Sequence, residues 1–509
     1  MMKNFLTFAL IILSIICYSQ VGIGTENPRG TLEVTSGNDK SFGLVLPSVE
    51  KVEDVKNAIN GQVVANGTVV YDEKRKAVCY KIPGGFKCTN GDKVIILEPE
   101  QQAYVKASNT NVSQYLGWSV ALSADGNTLA VGAHAESSNA TGINGDQTNT
   151  LSQVAGAVYV FTRSGTNWEQ QAYIKASNTN TYQYFGWSVA LSADGNTLAV
   201  GAHGERSNTT GINGDQTNTS LNSAGAVYVF TRSGTNWEQQ AYVKASNTKA
   251  SQNFGWTVAL SADGNTLAVG AYGESSNATG INGDQTNTSL IDAGAVYVFR
   301  RSGTNWEQQA YIKASNTKDS QYFGWKVALS ADGNTLAVAA YGEKSNATGI
   351  NGDQTNTLLQ IAGAVYVFTR SGTNWEQQAY VKASNTNDYQ YFGGSVALSA
   401  DGNTLAVGAY GESSNATGIN GDQTNTLSQT AGAVYVFTRS GTNWEQQTYV
   451  KASNTNVYQN FGGSAALSVD GNTLAVGAHG ESSNATGING DQTNRSLTEA
   501  GAVYAFKLY

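Results

Sequence analysis

The stretch QYFGWSVALSADGNTLAVGAHGE, residues 183–205, returns almost unchanged along the 509-residue chain. Its SADGN core, which reads SVDGN in the last copy, marks six units whose core aspartates are 69 residues apart, without an insertion or deletion. These aspartates are Asp125, Asp194, Asp263, Asp332, Asp401 and Asp470. A fixed period of this length is typical of repeat folds, in which every unit forms one small module that packs on the next. The stretch therefore predicts architecture before it predicts chemistry.

Each unit contains four predicted β-strands. In the second unit they are Gly186–Ala193, Thr197–Ala202, Ala226–Arg232 and Trp237–Ala245. SADGN joins the first pair and RSGTN joins the last pair, and both sequences are typical of hairpin turns. The third strand carries apolar side chains on both faces, which one four-stranded sheet cannot cover by itself. Radial stacking of the sheets covers both faces, so the sequence predicts an all-β, six-bladed β-propeller.

The two ends of the repeat array predict how the propeller closes. The sixth unit reaches its third strand at GAVYAFKLY, whereas QQAYVKASNT, residues 101–110, precedes the first unit and matches the fourth strand at 170–179. We expect this early strand to complete the sixth blade, closing the ring by strand exchange and covering two sheet edges. A seven-bladed ring, in which residues 21–98 supply a blade, is the alternative.

Composition and charge narrow the class of protein. Glycine is abundant, with 57 residues, whereas only 13% of residues are charged, as expected for strands and turns rather than amphipathic helices. The net charge is −8 and no basic patch is present. These features argue against nucleic acid as a partner, because no basic patch offers its phosphates a counter-charge.

The N-terminus, MMKNFLTFALIILSIICYSQ, predicts an exported protein. One lysine precedes a mostly apolar run, Phe5–Cys17, which is too short to span a bilayer comfortably. We interpret residues 1–20 as a secretory signal peptide that is cleaved near Gln20. No later segment has the roughly 18 consecutive apolar residues that a membrane helix needs. The predicted location is therefore secreted or at the cell surface, without a transmembrane segment.

Removal of the signal peptide leaves two cysteines, Cys79 and Cys88, in the stretch CYKIPGGFKC. A hairpin that turns at Pro83-Gly84-Gly85 would place the two thiols opposite each other. Paired cysteines in an exported chain predict a disulfide bond.

Several motifs of the repeat resemble a known family. The dipeptides Phe185-Gly186 and Gly201-Ala202 and the run GAVYVF, residues 225–230, resemble the FG-GAP repeat of integrin-α-type propellers. The resemblance covers about residues 99–509 in six tandem copies, with Leu116 in place of the Phe in unit one and Ala339 in place of a Gly in unit four. Integrin-type repeats often bind calcium through several carboxylates in the first hairpin loop, whereas SADGN contains a single Asp.

The segment before the repeats is of a different kind. Residues 21–98 resemble a short β-rich module that begins many bacterial exported surface and fibre-like proteins, and Lys51–Ile59 is predicted to form its one short helix. The predicted domains are thus a signal peptide (1–20), a small β-rich module (21–98) and the propeller (99–509).

The longest connections of the repeat are predicted to lie together on one face. Strand direction alternates within a blade, so the long connection between the second and third strands shares a face with the connection between blades. Loops of about 20 residues are usually functional or disordered, and six of them on one face make that face the default binding surface. Each long loop carries a carboxylate pair, for example Glu205 and Asp215, amid oxygen-rich side chains that suit calcium. The candidate calcium ligands are Asp146, Asp215, Asp284, Asp353, Asp422 and Asp491. The alternative is that these residues only shape turns.

One position of the first strand departs from six-fold symmetry. It holds tryptophan in units one to four but Gly394 and Gly463 in units five and six. The four tryptophans are Trp118, Trp187, Trp256 and Trp325. An arc of indoles beside a two-blade gap could stack on a sugar or on an aromatic side chain of a peptide. The alternative is that the indoles pack between blades.

These features favour a binding protein over an enzyme. The propeller contains no cysteine and no G-x-S-x-G or H-E-x-x-H motif, and its three histidines share one position with three tyrosines. We therefore expect a non-catalytic extracellular binding or adhesion module whose partner is an extracellular protein or a glycan. The alternatives are a carbohydrate-active enzyme, which would need carboxylates clustered at the central channel, and a passive spacer of the cell envelope.

Overall fold

A computed structural model describes residues 103–508 throughout and seven strand segments of the preceding part of the chain. The chain divides into two compact units, Met1–Gln102 and Ala103–Tyr509. The predicted signal peptide, residues 1–20, and the predicted helix at Lys51–Ile59 lie outside the described residues. Within the described part of the chain, no helix is both long and apolar enough to cross a membrane.

The first unit contains two small sheets. Its described strands are β1 (Val21–Ile23), β2 (Leu32–Val34), β3 (Ser48–Val49), β4 (Val69–Asp72), β5 (Ala77–Ile82), β6 (Gly85–Asn90) and β7 (Lys93–Ile96). Strands β1 and β2 pair in parallel, and β3 to β7 form one sheet in sequence order. The β5–β6 hairpin places Cys79, which is buried, opposite Cys88. The predicted hairpin is therefore present, and the disulfide bond stays a prediction.

Six antiparallel sheets, one from each repeat, form the second unit. Blade 1 contains β8 (Ser119–Leu122), β9 (Thr128–Ala133), β10 (Ala157–Ser164) and β11 (Asn167–Ile174); blade 2 contains β12 (Ser188–Leu191), β13 (Thr197–Ala202), β14 (Ala226–Ser233) and β15 (Asn236–Val243); blade 3 contains β16 (Thr257–Leu260), β17 (Thr266–Ala271), β18 (Ala295–Ser302) and β19 (Asn305–Ile312). Blade 4 contains β20 (Phe323–Leu329), β21 (Thr335–Ala340), β22 (Ala364–Ser371) and β23 (Asn374–Val381); blade 5 contains β24 (Phe392–Leu398), β25 (Thr404–Ala409), β26 (Ala433–Ser440) and β27 (Asn443–Val450); blade 6 contains β28 (Phe461–Leu467), β29 (Thr473–Ala478) and β30 (Ala502–Lys507). Each sheet keeps sequence order from its first strand to its last. The six-bladed propeller predicted from the repeat is confirmed.

The strands of blade 2 follow the predicted pattern closely. Its second strand has the predicted bounds, whereas its first strand begins at Ser188 instead of Gly186. Gly186 has a φ of +86°, which interrupts an extended strand before Ser188. The first strands of successive blades are neighbours, because the Ser188 hydroxyl accepts a 3.1 Å hydrogen bond from the backbone N–H of Val258 in β16. They form the inner wall of the propeller, as in other propellers built around a central channel.

Apolar side chains between adjacent blades form the core. In β14, Tyr228 and Phe230 pack against blade 1, whereas Val227 and Val229 pack against blade 3. All four side chains are fully buried. Full burial of such a side chain contributes about 1.5–3 kcal/mol, so both faces of the third strand hold neighbouring blades together. This double burial is the reason that one repeat is not a stable sheet alone.

Two repeated glycines mark close contacts between backbones. A Cβ on Gly201 would lie 2.1 Å from the carbonyl oxygen of Gly255 in the next blade. A Cβ on Gly225, whose φ is +82°, would lie 2.0 Å from the carbonyl oxygen of Phe254. Neither distance leaves room for a side chain. The repeated Gly-Ala pairs therefore reflect packing of blade on blade.

The SADGN core is a structural turn. The Asp194 carboxylate accepts hydrogen bonds from the Ser192 hydroxyl at 2.5 Å and the Asn196 backbone N–H at 2.9 Å. The backbone N–H of Ala193 donates to the carbonyl of Ala262, which is the equivalent residue of the next blade, at 2.9 Å. The carboxylate thus shapes the hairpin, and the hairpins link neighbouring blades.

The sixth blade has three strands in this structure. Residues 104–108 form no strand with β30, although Val105 and Ala107 pack against the core of blade 1, as Ile174 and Ala176 pack against that of blade 2. The position beside β30 is open, and Val503 is 77% exposed. Strand exchange is therefore not formed between the described residues, and closure of the ring stays a prediction.

Candidate functional site on the long-loop face

The long loops and the connections between blades lie on one face, which we call the long-loop face. The long loop of blade 2, residues 203–225, meets the connection from β15 to β16. The backbone N–H groups of Ser251 and Asn253 in that connection donate to the carbonyls of Asn222 and Ser223, at 2.8 and 2.9 Å. Equivalent hydrogen bonds recur in other blades, so this face is an array of paired loops.

Four indoles form a continuous arc where the first strands reach this face. The ring centroids of Trp118 and Trp187 are 4.8 Å apart, those of Trp187 and Trp256 are 4.7 Å apart, and those of Trp256 and Trp325 are 5.1 Å apart. Trp118 is 52% exposed and the other three are partly exposed. The structure thus brings together the four tryptophans that the sequence analysis selected.

Two histidines pack against the indoles of this arc. His203 packs edge-on against Trp187 at 4.7 Å and against Trp256 at 5.0 Å, and it stacks on Tyr184 at 4.6 Å. Burial lowers the pKa of His203 to about 4, because it disfavours the charged imidazolium. Burial also lowers the pKa of His134, which packs between Trp118 and Trp187. Both histidines are neutral packing partners of the indoles at pH 7.

The predicted two-blade gap beside the arc is not open at its first position. A Cβ on Gly394 would lie 2.6 Å from the ring of Tyr410, so this tyrosine occupies the space of a fifth indole. The ring belongs to a column of nearly parallel aromatics with centroids 4.8–5.2 Å apart and interplanar angles of 14–19°. The members of this column are Trp325, Tyr341, Tyr391 and Tyr410. We call it the aromatic column.

Polar grooves separate the loops further from the axis. The groove of blade 2 has a volume of about 540 Å³, and its lining includes Asn178, Thr179, Gln183 and Gln216. Equivalent grooves of about 870 and 570 Å³ lie in blades 1 and 5. Their walls are mostly neutral hydroxyl and amide groups, which can donate and accept hydrogen bonds.

Glu205, which lines the groove of blade 2, belongs to a buried ion pair. Lys244 Nζ lies 2.7 Å from Glu205 Oε2, and Asn178 and the Ser207 backbone N–H donate to Glu205 Oε1 at 3.1 and 3.0 Å. Burial lowers the pKa of Lys244, and the charge of Glu205 partly offsets this effect. The same pair occurs in five blades, as Lys175–Glu136, Lys244–Glu205, Lys313–Glu274, Lys382–Glu343 and Lys451–Glu412.

This pair corrects the sequence interpretation of the loop carboxylates. Glu205 was expected to act with Asp215 as a candidate metal ligand, yet it is buried and satisfied by Lys244 and its other donors. The sequence analysis did not single out Lys244, although a lysine recurs six times at 69-residue intervals from Lys106 to Lys451. That recurrence, set beside the recurring glutamate, is the signal that could have identified the pair.

The six candidate calcium ligands cap their own loops. Asp215 Oδ1 accepts hydrogen bonds from the backbone N–H and the hydroxyl of Thr217, at 2.9 and 2.8 Å, and the other five aspartates make the same two contacts. These hydrogen bonds lower the pKa of the Asp215 carboxyl. No three His, Cys, Asp or Glu side chains cluster as metal ligands within the part of the chain that the structure describes. Calcium binding stays a prediction.

The chain matches one family model, and that match agrees with the repeat structure. Residues 168–230, 237–299, 306–368 and 375–437 each match the model of the FG-GAP repeat. No curated protein sequence matches the chain. Among solved structures, hydrazine synthase of Kuenenia stuttgartiensis is similar at 14% identity and a TM-score of 0.41, over 74% of this chain and 78% of that one. The periplasmic gluconolactonase of Pseudomonas aeruginosa is similar at 14% identity and a TM-score of 0.40, over 84% and 96% of the two chains.

The family match and the blade structure point to the same repeat. The four matched segments are consecutive, and each runs from the fourth strand of one blade to the third strand of the next. The Phe-Gly and Gly-Ala contacts described above recur between these blades. The chain belongs to the FG-GAP repeat family of β-propeller proteins.

Proposed function

We propose that this protein is an exported, non-catalytic binding module whose ligand stacks on the arc of four indoles. The observation that carries the proposal is the arc itself, a continuous row of partly exposed aromatic rings. Stacking on an aromatic ring contributes about 0.5–1.5 kcal/mol beyond the area that it buries. Export rests on the predicted signal peptide, residues 1–20.

The polar grooves favour an extracellular glycan over a peptide. Hydroxyl and amide groups such as those of Asn178, Thr179 and Gln216 match the hydroxyl groups of a saccharide in hydrogen-bonding character. The indoles supply flat apolar surfaces beside them, and an apolar body with polar edges is the character of a sugar ring. Several loops of the same kind would let one chain contact an extended glycan, which is the adhesion role that we propose.

The test compares two tryptophans on different faces. Trp187→Gly removes an indole from the arc, whereas Trp237→Gly removes a buried indole that packs under Arg232 near the short turns. The probe is an array of immobilised neutral and acidic glycans and matrix proteins. We expect Trp187→Gly to weaken binding about tenfold. Trp237→Gly should lower the free energy of unfolding by about 3–5 kcal/mol and leave the affinity of the folded protein unchanged.

The outcomes separate the three candidate functions. Equal affinity of the wild type and Trp187→Gly would remove the arc from the binding site. A wild-type chain that retains no component of the array would support the passive spacer. Release of sugars from a bound glycan would support the carbohydrate-active enzyme.

A further inference from the structure

The inner wall of the propeller carries one lysine at a position that is otherwise small and uncharged. Lys326 follows Trp325 in β20, and the equivalent residues of the other five blades are Ser119, Ser188, Thr257, Ser395 and Ser464. This one lysine departs from the six-fold symmetry of the repeat, as the missing tryptophans of blades 5 and 6 also do.

The equivalent hydroxyl groups show where this position points. The Ser188 hydroxyl accepts a hydrogen bond from Val258 N at 3.1 Å, and the Ser395 hydroxyl donates to the carbonyl of Gly462 at 2.8 Å. Both contacts reach the first strand of the following blade. The side chain of Lys326 therefore leaves β20 on the side of blade 5.

A second substitution in blade 4 accompanies the lysine. In the other blades this position pairs with a glycine of the second strand, as Ser188 does with Gly201. Blade 4 has Ala339 instead, and the pairing of β20 with β21 is interrupted between Phe323 and Val327. Lys326 thus lies in the part of β20 that is not in regular register with β21. It has no paired residue in that strand.

Lys326 has no counter-charge in the described part of the chain. No hydrogen bond or ion pair of its ammonium group is present there, in contrast to Lys244 on Glu205. The side chain is exposed, yet surrounding protein lowers its pKa because desolvation disfavours the charged form. Water access combined with desolvation is expected in a concave space such as the axial channel. An anion bound there would meet an unpaired ammonium group.

The aromatic column spans the same junction of blades. It begins at Trp325, the residue before Lys326 in β20, and passes through Tyr341 of blade 4 to Tyr391 and Tyr410 of blade 5. Elsewhere around the arc neighbouring indoles are tilted by 40–43°. The junction of blades 4 and 5 thus carries the aromatic column and the end of the indole arc, and the unpaired Lys326 leaves β20 on the same side.

We propose that the junction of blades 4 and 5 is a subsite for the carboxylate of an acidic saccharide, with Lys326 as its counter-ion. This inference rests on the proposed function, because the sugar ring would contact the end of the same arc. A single ammonium group suits a singly charged carboxylate, whereas a phosphate group is usually held by several donors. The groove of blade 5 on the same face is lined mostly by hydroxyl and amide groups, which suit the hydroxyl groups of the remaining sugar units.

The test uses one sugar chain in a charged and an uncharged form. The probes are a tetramer of galacturonic acid and its methyl ester, titrated calorimetrically into the full chain. We expect the acid to bind the wild type roughly tenfold more tightly than the ester. Lys326→Ser, which introduces the residue found in four other blades, should reduce the affinity for the acid to that for the ester.

A matched control removes one positive charge from the face of the short turns. Arg300 is exposed near the short turn of blade 3, and Arg300→Thr, which introduces the residue found at this position in blades 1, 2, 4 and 5, should leave both affinities unchanged. Equal loss in Arg300→Thr and Lys326→Ser would overturn the subsite, because it would show a general effect of surface charge. An unchanged affinity of Lys326→Ser for the acid would overturn it as well. Melting curves of both variants establish that they fold.

Failure of the subsite and failure of the proposed function give different results. If the ester binds, Trp187→Gly weakens it and the acid binds no more tightly, the binding module stands and the subsite is rejected. If neither tetramer binds the wild type, the subsite is rejected and the glycan and protein array decides the function.

Discussion

A single position at the start of the long loop holds histidine in three blades and tyrosine in the other three. His203 lies between Trp187 and Trp256, and Tyr272 has the corresponding place against Trp256 and Trp325. Both residue types supply a flat ring that supports the indoles, so the exchange between them conserves packing. Of these two side chains, only histidine can take up a proton as the pH falls.

This difference predicts a pH-dependent stability. The pKa of His203 is about 4 in the folded chain and near 6.5 when unfolded, so above pH 6.5 the imidazole is neutral in both states. As the pH falls from 6.5 to 4, the unfolded state takes up a proton that the folded state does not. The free energy of unfolding should fall by up to about 3 kcal/mol from this group. Denaturant unfolding of the wild type and His203→Tyr at pH 7 and pH 4.5 measures the difference.

The control is His479→Tyr at the exposed equivalent position of blade 6. His203→Tyr should lose less stability on acidification than the wild type, whereas His479→Tyr should follow the wild type. Identical pH profiles for all three proteins would show that His203 is not held in its neutral form by packing.

At the scale of the element, strands were easier to predict than contacts between them. The alternation of Val227 and Val229 with Tyr228 and Phe230 encodes both buried faces of β14, because side chains point alternately to opposite faces of a strand. Glu205 and Lys244 are 39 residues apart in sequence, and the long loop and β14 lie between them. The alternation of side chains within one strand does not encode such a contact.

In the candidate site, too, some features could be predicted from the sequence and others could not. The arc of indoles could be predicted because one residue at a fixed position of each first strand suffices to build it. The aromatic column could not, since Tyr391 and Tyr410 come from two different connections and meet only after the blade has folded. Lys326 departs from the repeat, but the sequence analysis did not single it out, and its lack of a counter-charge is a property of the folded chain.

The long loops carry the calcium prediction. A ligand that binds only the folded state stabilises it, by about 2.7 kcal/mol at 100 times its Kd. Calcium in these loops therefore predicts that excess chelator lowers the Tm, and that changing Asp146, Asp215 and Asp284 together to Asn shrinks this shift. The hydrogen bonds of Asp215 to Thr217 offer a purely structural role instead. A melting curve that chelator does not change would establish that role and end the calcium prediction.

At the scale of the whole molecule, five blades share a set of contacts that the sixth lacks. In blade 2, Asn213 accepts a hydrogen bond from the Tyr242 backbone N–H at 2.8 Å, and Ile212 forms a bridge with Val243. In blade 6 the equivalent Ile488 is 73% exposed, and Tyr104, the equivalent of Tyr242 in the N-terminal segment, is 81% exposed. Ile488 and Tyr104 are thus the two exposed halves of a contact set that the other blades form.

The clearest part of this contact set is an ion pair. Glu481 is buried and accepts hydrogen bonds from Asn454 and Ser483, yet it has no lysine among the described residues. Lys106, at the lysine position of QQAYVKASNT, is exposed. Strand exchange would bring Lys106 to Glu481 just as Lys244 lies on Glu205.

If the ring closes, substitution of Lys106 should destabilise the protein as much as substitution of Lys244, although Lys106 is exposed in this structure and Lys244 is buried. Lys244→Met leaves a buried glutamate without its partner, which is expected to cost about 3–5 kcal/mol of unfolding free energy. Lys106→Met should cost about as much if the early strand completes blade 6, and adding Glu481→Leu should recover part of the loss, since an apolar pair can replace a buried ion pair. Denaturant unfolding of the full chain and the variants measures both effects. An exposed lysine contributes little, so a Lys106→Met protein as stable as the wild type would show that this strand does not close the ring.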